Sequence, residues 1–158
     1  MKKIVSLVLA LVLTLALTAC GGGESGQSAA YSPDQVQAMA DAGAFSETLE
    51  ELDGDTAFAL YRLADYGLSR EDLTDCAVLR SSGATCEEGA VLVFAGEDQA
   101  DQGSKALDSY VQNQITSNRD YRHAEIPKLE AAELSCRGNT VLLVVASDLE
   151  TALGALEG

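Results

Sequence analysis

The sulfur of Cys20 is the group in this chain that its neighbours best prepare to react. It closes the run Leu17-Thr18-Ala19-Cys20 and opens onto Gly21-Gly22-Gly23. Lys2 and Lys3 make a short basic start. Ile4 to Ala16 is apolar apart from Ser6 and Thr14, and small residues lead into the cysteine. This is the three-part layout of an export signal. The stretch Ile4–Ala19 has sixteen residues, below the roughly 20 that a spanning helix needs. Ordinary secretory cleavage asks for small residues in an A-x-A-like pattern, which Leu17 fits poorly. An aliphatic residue there suits a lipobox, whose cysteine sulfur takes diacylglycerol. The expectation is removal of residues 1–19 and lipid attachment at Cys20. The chain would then sit on the extracytoplasmic face of a cell membrane, with that membrane as its first partner.

Other chemistry is harder to assemble. His123 is the single histidine, so Ser-His-acid or Cys-His catalysis would have to use it. It lies in Tyr121-Arg122-His123-Ala124-Glu125, a loop sequence, and no G-x-S-x-G elbow occurs. It reads as an exposed loop histidine. Cys76, Cys86 and Cys136 lack paired zinc spacing. Asp53-Gly54-Asp55 is only a fragment of a calcium loop and reads as a turn and helix cap. Glu50-Glu51, Glu87-Glu88 and Glu97-Asp98 could in principle do acid-base work. Among 25 acidic residues such adjacency arises by chance, so each pair is expected on a solvated face. No Gly-rich phosphate loop is present. Neither a catalytic residue, a metal ligand nor a cofactor is expected.

Charge narrows the partners. The chain carries 10 basic and 25 acidic residues, and loss of Lys2 and Lys3 would leave a net −17. Such a surface repels nucleic acid and anionic headgroups. Residues 20–30 form a lipidated cysteine plus Gly/Ser-rich tether, spanning roughly 18 Å root-mean-square over ten residues. That exceeds the roughly 8 Å Debye length at physiological salt, so the acidic domain can stand clear of the membrane.

Residues 31–158 read as one domain. Ser32-Pro33-Asp34-Gln35 carries helix-start signals, and Gly43 stops a short helix with Val36, Met39 and Ala40 inward. A second helix is expected over about Asp55–Asp65, with Ala57, Leu60, Tyr61 and Ala64 inward. Ser69–Asp72 resembles a capped turn. Asp75–Ser81 and Gly89–Ala95 then read as a β-hairpin. Ala100, Ser104, Leu107, Val111 and Ile115 form a narrow apolar stripe along a helix over Glu97–Asn118. Glu130–Arg137 and Thr140–Ser147 make a second hairpin about Gly138-Asn139. Val141–Ala146 is apolar on both faces, which places that strand inside a sheet covered on both sides. Ser147-Asp148-Leu149-Glu150 starts a last amphipathic helix.

The fold class expected is α+β. A four-stranded, mostly antiparallel sheet is built from two β-hairpins joined by a long helix, with N-terminal helices and a C-terminal helix. The strand order expected is 1-2-4-3. In that order Cys76 and Cys136 fall at one end of the sheet but on opposite edges, beyond the roughly 7 Å that a disulfide spans. Cys136 alternates in phase with Leu134 and is expected as a buried free thiol.

Three stretches carry a family resemblance. They are Tyr66-Gly67-Leu68 with Glu71-Asp72-Leu73, the strand Glu88 to Ala95, and Ile126-Pro127-Lys128-Leu129 through Gly138-Asn139-Thr140 to Val145. Through them the chain resembles a family of small bacterial lipoproteins known as domain of unknown function 4358. The resemblance implies location and fold and carries no activity onto any residue. The leading functional expectation is a non-catalytic binding or accessory module at the outer face of the membrane. Its partner would be an envelope protein, peptide or glycan. The alternatives are a small cell-envelope enzyme and the solute-binding component of a transporter.

Overall fold

The computed structural model describes residues 29–157. Cys20, the expected signal and the tether up to residue 28 lie outside the described residues. Five strands form one antiparallel sheet in the order β1-β2-β3-β5-β4. They are β1 Glu50–Glu51, β2 Leu73–Arg80, β3 Glu88–Phe94, β4 Glu133–Arg137 and β5 Thr140–Val145. The four long strands take the expected order. The strand that the sequence did not announce is β1, which pairs Glu50 with Arg80 and Glu51 with Leu79. Two residues are too few to show a period. A short, charged strand is also a common way to protect a sheet edge from further pairing.

Helices cover both faces of the sheet. They are α1 Asp34–Asp41, α2 Gly54–Leu60, α3 Glu97–Asn118, α4 Ile126–Glu130 and α5 Leu149–Gly154. Strand β5 explains why two covers are needed. Val141, Leu143 and Val145 join one core with α3, while Leu142 and Val144 join another with Val36, Met39 and Ala152. All six residues of β5 are buried, as a period-2 strand with two apolar faces requires.

Several boundaries differ from the sequence expectation, each for a local reason. The helix expected over Asp55–Asp65 breaks at Arg62, which adopts the left-handed region (φ 54°), and continues as a 3₁₀ turn over Leu63–Tyr66. The break turns Leu63 inward and leaves Ala64 exposed. The strand expected from Glu130 begins at Glu133, because Ile126–Glu130 forms a helical turn with Pro127 in its first turn. Proline fixes φ at a helical value and loses only a donor that is unpaired there anyway. The cap of α5 is Asp148, which accepts from the Thr151 amide at 2.9 Å, rather than Ser147. At α1 the N-cap is Pro33, without a side-chain cap. Gln35 nevertheless reaches back over this start, the Ser32 amide donating to its Oε1 at 2.9 Å.

Helix α3 has the expected ends, Glu97–Asn118. It carries a glycine at mid-helix, where glycine normally costs about 1 kcal/mol relative to alanine. The Phe94 ring explains it. A Cβ on Gly103 would stand 2.3 Å from Phe94 Cζ, so the missing side chain lets the helix lie against the sheet.

Candidate functional site

Two consecutive carboxylates lie under the surface where β2 and β3 begin their hairpin loop. Glu87 is 0 % exposed and Glu88 2 %. This corrects the expectation of a solvated Glu87-Glu88 pair. Glu97, Asp98, Glu50 and Glu51 are exposed as expected. The difference is one of position. Glu88 is the first residue of an otherwise apolar strand, so its side chain enters the layer that Ala90 and Leu92 occupy. A carboxylate leading directly into such a run, with tyrosines on the helices that cover it, is the signal that could have marked it.

Burial of an ion requires partners. Glu88 Oε1 accepts from the Tyr61 hydroxyl. Its Oε2 accepts from the Tyr110 hydroxyl at 2.7 Å and from Arg80 Nε at 3.2 Å. Arg80 Nε also reaches the Tyr110 oxygen at 3.1 Å. Burial pushes the Glu88 carboxyl above its ordinary range. Hydrogen bonds from Tyr110 and Tyr61 and the charge of Arg80 oppose that shift without cancelling it. Burial, and then the Glu88 charge, push both tyrosines up, so they stay protonated donors at neutral pH.

Glu87 is satisfied separately. Its Oε2 accepts from the Ser46 amide at 2.8 Å and hydroxyl at 2.9 Å, and its Oε1 lies 3.2 Å from Lys128 Nζ. Lys128 also pairs with Glu125 at 2.9 Å, and Glu125 accepts from the Cys86 amide at 2.7 Å. Glu47 holds the loop itself, accepting from Ser81 and Thr85 hydroxyls at 2.7 and 2.6 Å. These bonds build the floor from three segments distant in sequence, 46–47, 81–87 and 125–128.

Above the floor opens a cleft of about 410 Å³, between the 81–87 loop and the C-terminal half of α3. A second, wider cleft of about 720 Å³ lies beside it, and Tyr110 and Ser117 line both. The cleft opens at the Glu88 end of β3. The N-terminal segment is fixed at the other end: the Tyr31 amide donates to Thr140 Oγ1 at 2.9 Å, and Thr140 pairs with Val93. Arg137 covers the Tyr31 ring at 4.3 Å. Five residues of β3 separate the two places, about 17 Å at strand rise.

The remaining sequence candidates are not brought together. His123 is exposed in the loop between α3 and α4 and does not line the cleft. Asp53 caps α2 through the Thr56 amide at 2.8 Å, and Asp55 pairs with Arg70 at 2.6 Å. No group of three or more His, Cys, Asp or Glu side chains is gathered for a metal among the described residues. Cys76 and Cys136 occupy one row of the sheet, through Leu92 and Val141, but at its two sides. Three strand spacings separate them, about 14 Å. Cys136 is exposed, not buried. Its strand, β4, is an edge whose residues are only partly covered.

A family model matches residues 47–146 of the 158. The chain belongs to the DUF4358 family. The family is described only as a domain of unknown function. No curated protein and no solved structure matches the chain significantly. The matched DUF4358 span contains all five strands and α2 to α4, and with them Tyr61, Arg80, Glu87, Glu88 and Tyr110. Helices α1 and α5, which cover the second face, lie outside it.

Proposed function

We propose that this DUF4358 chain is a lipid-anchored binding module on the extracytoplasmic face of a bacterial membrane, moored through Cys20. Its recognition surface is the cleft beside Tyr110, and its ligand is a component of the cell envelope. The anchor reading rests on the basic start, the short apolar run and Leu17-Thr18-Ala19-Cys20. The observation that supports the binding reading most is the separation of Tyr31 from the cleft along β3. A module tethered at the Thr140 end and open at the Glu88 end keeps its cleft clear of the tether and free to meet a ligand. The floor supports binding: its carboxylates are occupied by internal donors and give the cleft a fixed base. A fixed polar floor under a concave surface favours a ligand by limiting what must be ordered on binding.

Two measurements in the native host test this. Palmitate label is expected in the wild-type chain and absent from Cys20→Ala; equal labelling removes the anchor. A photo-crosslinker replacing exposed Ser117, at the rim of the cleft, is expected to capture an envelope component. The same group at exposed Glu150, on α5, is not. No adduct at Ser117, or equal adducts at both sites, removes the cleft as the recognition surface.

A further inference from the structure

Hydrogen-bond donors dominate the free polar groups of the 410 Å³ cleft, although the chain has a formal net charge of −15. Its one lining carboxylate, Glu87, is 0 % exposed and has both oxygens engaged by Ser46 and Lys128. Ser81 Oγ donates to Glu47 and accepts from the Gly83 and Thr85 amides, so it has little left to offer. Thr85 Oγ1 likewise donates to Glu47 and accepts from the Glu87 amide.

The donors are in the opposite condition. Arg80 spends Nε on Glu88 and Tyr110, and its two terminal nitrogens have no hydrogen-bond partner among the described residues. Its side chain is 35 % exposed, so these nitrogens are reachable while Nε is held. Arg122 makes one long bond, Nη1 to the Thr85 carbonyl at 3.4 Å, and lies against Cys86. Gln114 accepts from Asn118 through Oε1, and its amide N–H groups have no hydrogen-bond partner among the described residues. Two guanidinium groups and an amide therefore line a space whose one carboxylate is already occupied.

We infer that the cleft recognises an oxyanion, a carboxylate or phosphate borne by the ligand, held between Arg80 and Arg122. Guanidinium N–H groups match the paired oxygens of both groups, and such charge-assisted bonds are about twice as strong as neutral ones. Arg80 is the better positioned of the two, because Glu88 and Tyr110 hold its Nε and leave the terminal nitrogens unbonded. The ligand meets the charge of the groups it touches, not that of the whole domain. At physiological salt the remote acids are screened beyond roughly 8 Å. The negative surface then discourages anions that fail to reach the donors.

This inference rests on the binding-module reading, and its test is separable from that one. The full chain, purified with its anchor in neutral detergent, is titrated with inorganic phosphate and with succinate at constant ionic strength, using calorimetry and thermal melting. Saturable binding of at least one is expected, with a rise in melting temperature as for any ligand of the folded state. The preferred probe distinguishes a phosphate from a carboxylate source. Arg122→Gln, a half-buried side chain outside the Glu88 network, is expected to weaken binding about tenfold, the order of one charge-assisted hydrogen bond. Arg137→Gln, at the opposite end of the sheet, is expected to leave it unchanged. Absence of saturable binding for both probes overturns the inference, as does affinity unaltered by Arg122→Gln. If Ser117 still crosslinks an envelope component in that event, the binding module stands and only its oxyanion chemistry falls.

Discussion

Tyr61 and Tyr110 meet edge to face, ring centroids 5.1 Å apart and planes at 89°, and each gives its hydroxyl to a different oxygen of Glu88. One tyrosine comes from the end of α2 and the other from the middle of α3. The carboxylate thus joins the two helices across the sheet they cover. Tyr61→Phe keeps the ring and removes one donor from a buried charged acceptor. Loss of such a bond costs about 1.5–3 kcal/mol. Urea denaturation is expected to show that loss with an unchanged m-value. Tyr110→Phe also removes one of the two acceptors of Arg80 Nε, and the double variant is expected to be non-additive, because both bonds share Glu88. Strict additivity would mean that the network does not act as a unit.

Gly103 and Phe94 are matched by shape. Gly103→Ala would improve helix propensity by about 1 kcal/mol if it were free. The Phe94 ring stands where the new methyl must go and is 1 % exposed, so it cannot move into solvent. Overpacking of this kind costs about 1–3 kcal/mol. The variant is expected to melt lower than wild type. Gly103→Ala combined with Phe94→Leu is expected to recover part of the loss. A more stable Gly103→Ala would show that α3 does not lie this close to the sheet.

Acid should reveal two opposing sets of carboxyls. Backbone hydrogen bonds from Thr56, Ser69 and Thr151 hold Asp53, Asp72 and Asp148 below their ordinary range. Their stabilisation is complete above the unfolded value, about 3.9, and is lost as pH falls through the lower folded values. Glu88 has the opposite sign. Burial raises it, so the unfolded chain ionises first, and its contribution falls as pH rises from the unfolded value, about 4.3, through the folded one. Asparagine caps as well as aspartate but does not titrate. Replacing the two N-caps Asp53 and Asp148 together by Asn is therefore expected to reduce the loss of urea midpoint between about pH 4 and pH 2. An acid limb as steep as that of the wild type would remove the caps as its cause.

The three thiols in the described part differ in access. Cys136 is exposed on the edge strand, whereas Cys76 and Cys86 are partly buried beside the core. Burial is the leading cause raising all three above the ordinary thiol range, so access rather than acidity should set the order of reaction. Maleimide labelling of the folded chain, read by peptide mass spectrometry, is expected to modify Cys136 first. Thiol counting after denaturation without reductant is expected to find all three free. A Cys76–Cys136 bridge would contradict the sheet order, since Leu92 and Val141 stand between them.

Local pattern carried much of the architecture. The two-faced apolar run Val141–Ala146, the stripe along Glu97–Asn118 and the Gly138-Asn139 turn were enough to order the four long strands. They suffice because each element shows its buried face through its own repeat, and a covered central strand has few places to go. The proposed signal and the proposed anchor at Cys20 likewise rest on sequence alone. What periodicity could not disclose is whatever depends on partners distant in the chain. The pair β1 and β2 is formed by residues about 30 apart. Glu87 and Glu88 look like any other acids until Ser46, Tyr61, Tyr110 and Lys128 converge on them. A buried ion is tolerated only through such converging donors, and convergence belongs to the packed chain. The exposure of Cys136 has the same origin: its alternation was read correctly, but only the position of β4 at the sheet edge decided that its face would remain partly uncovered.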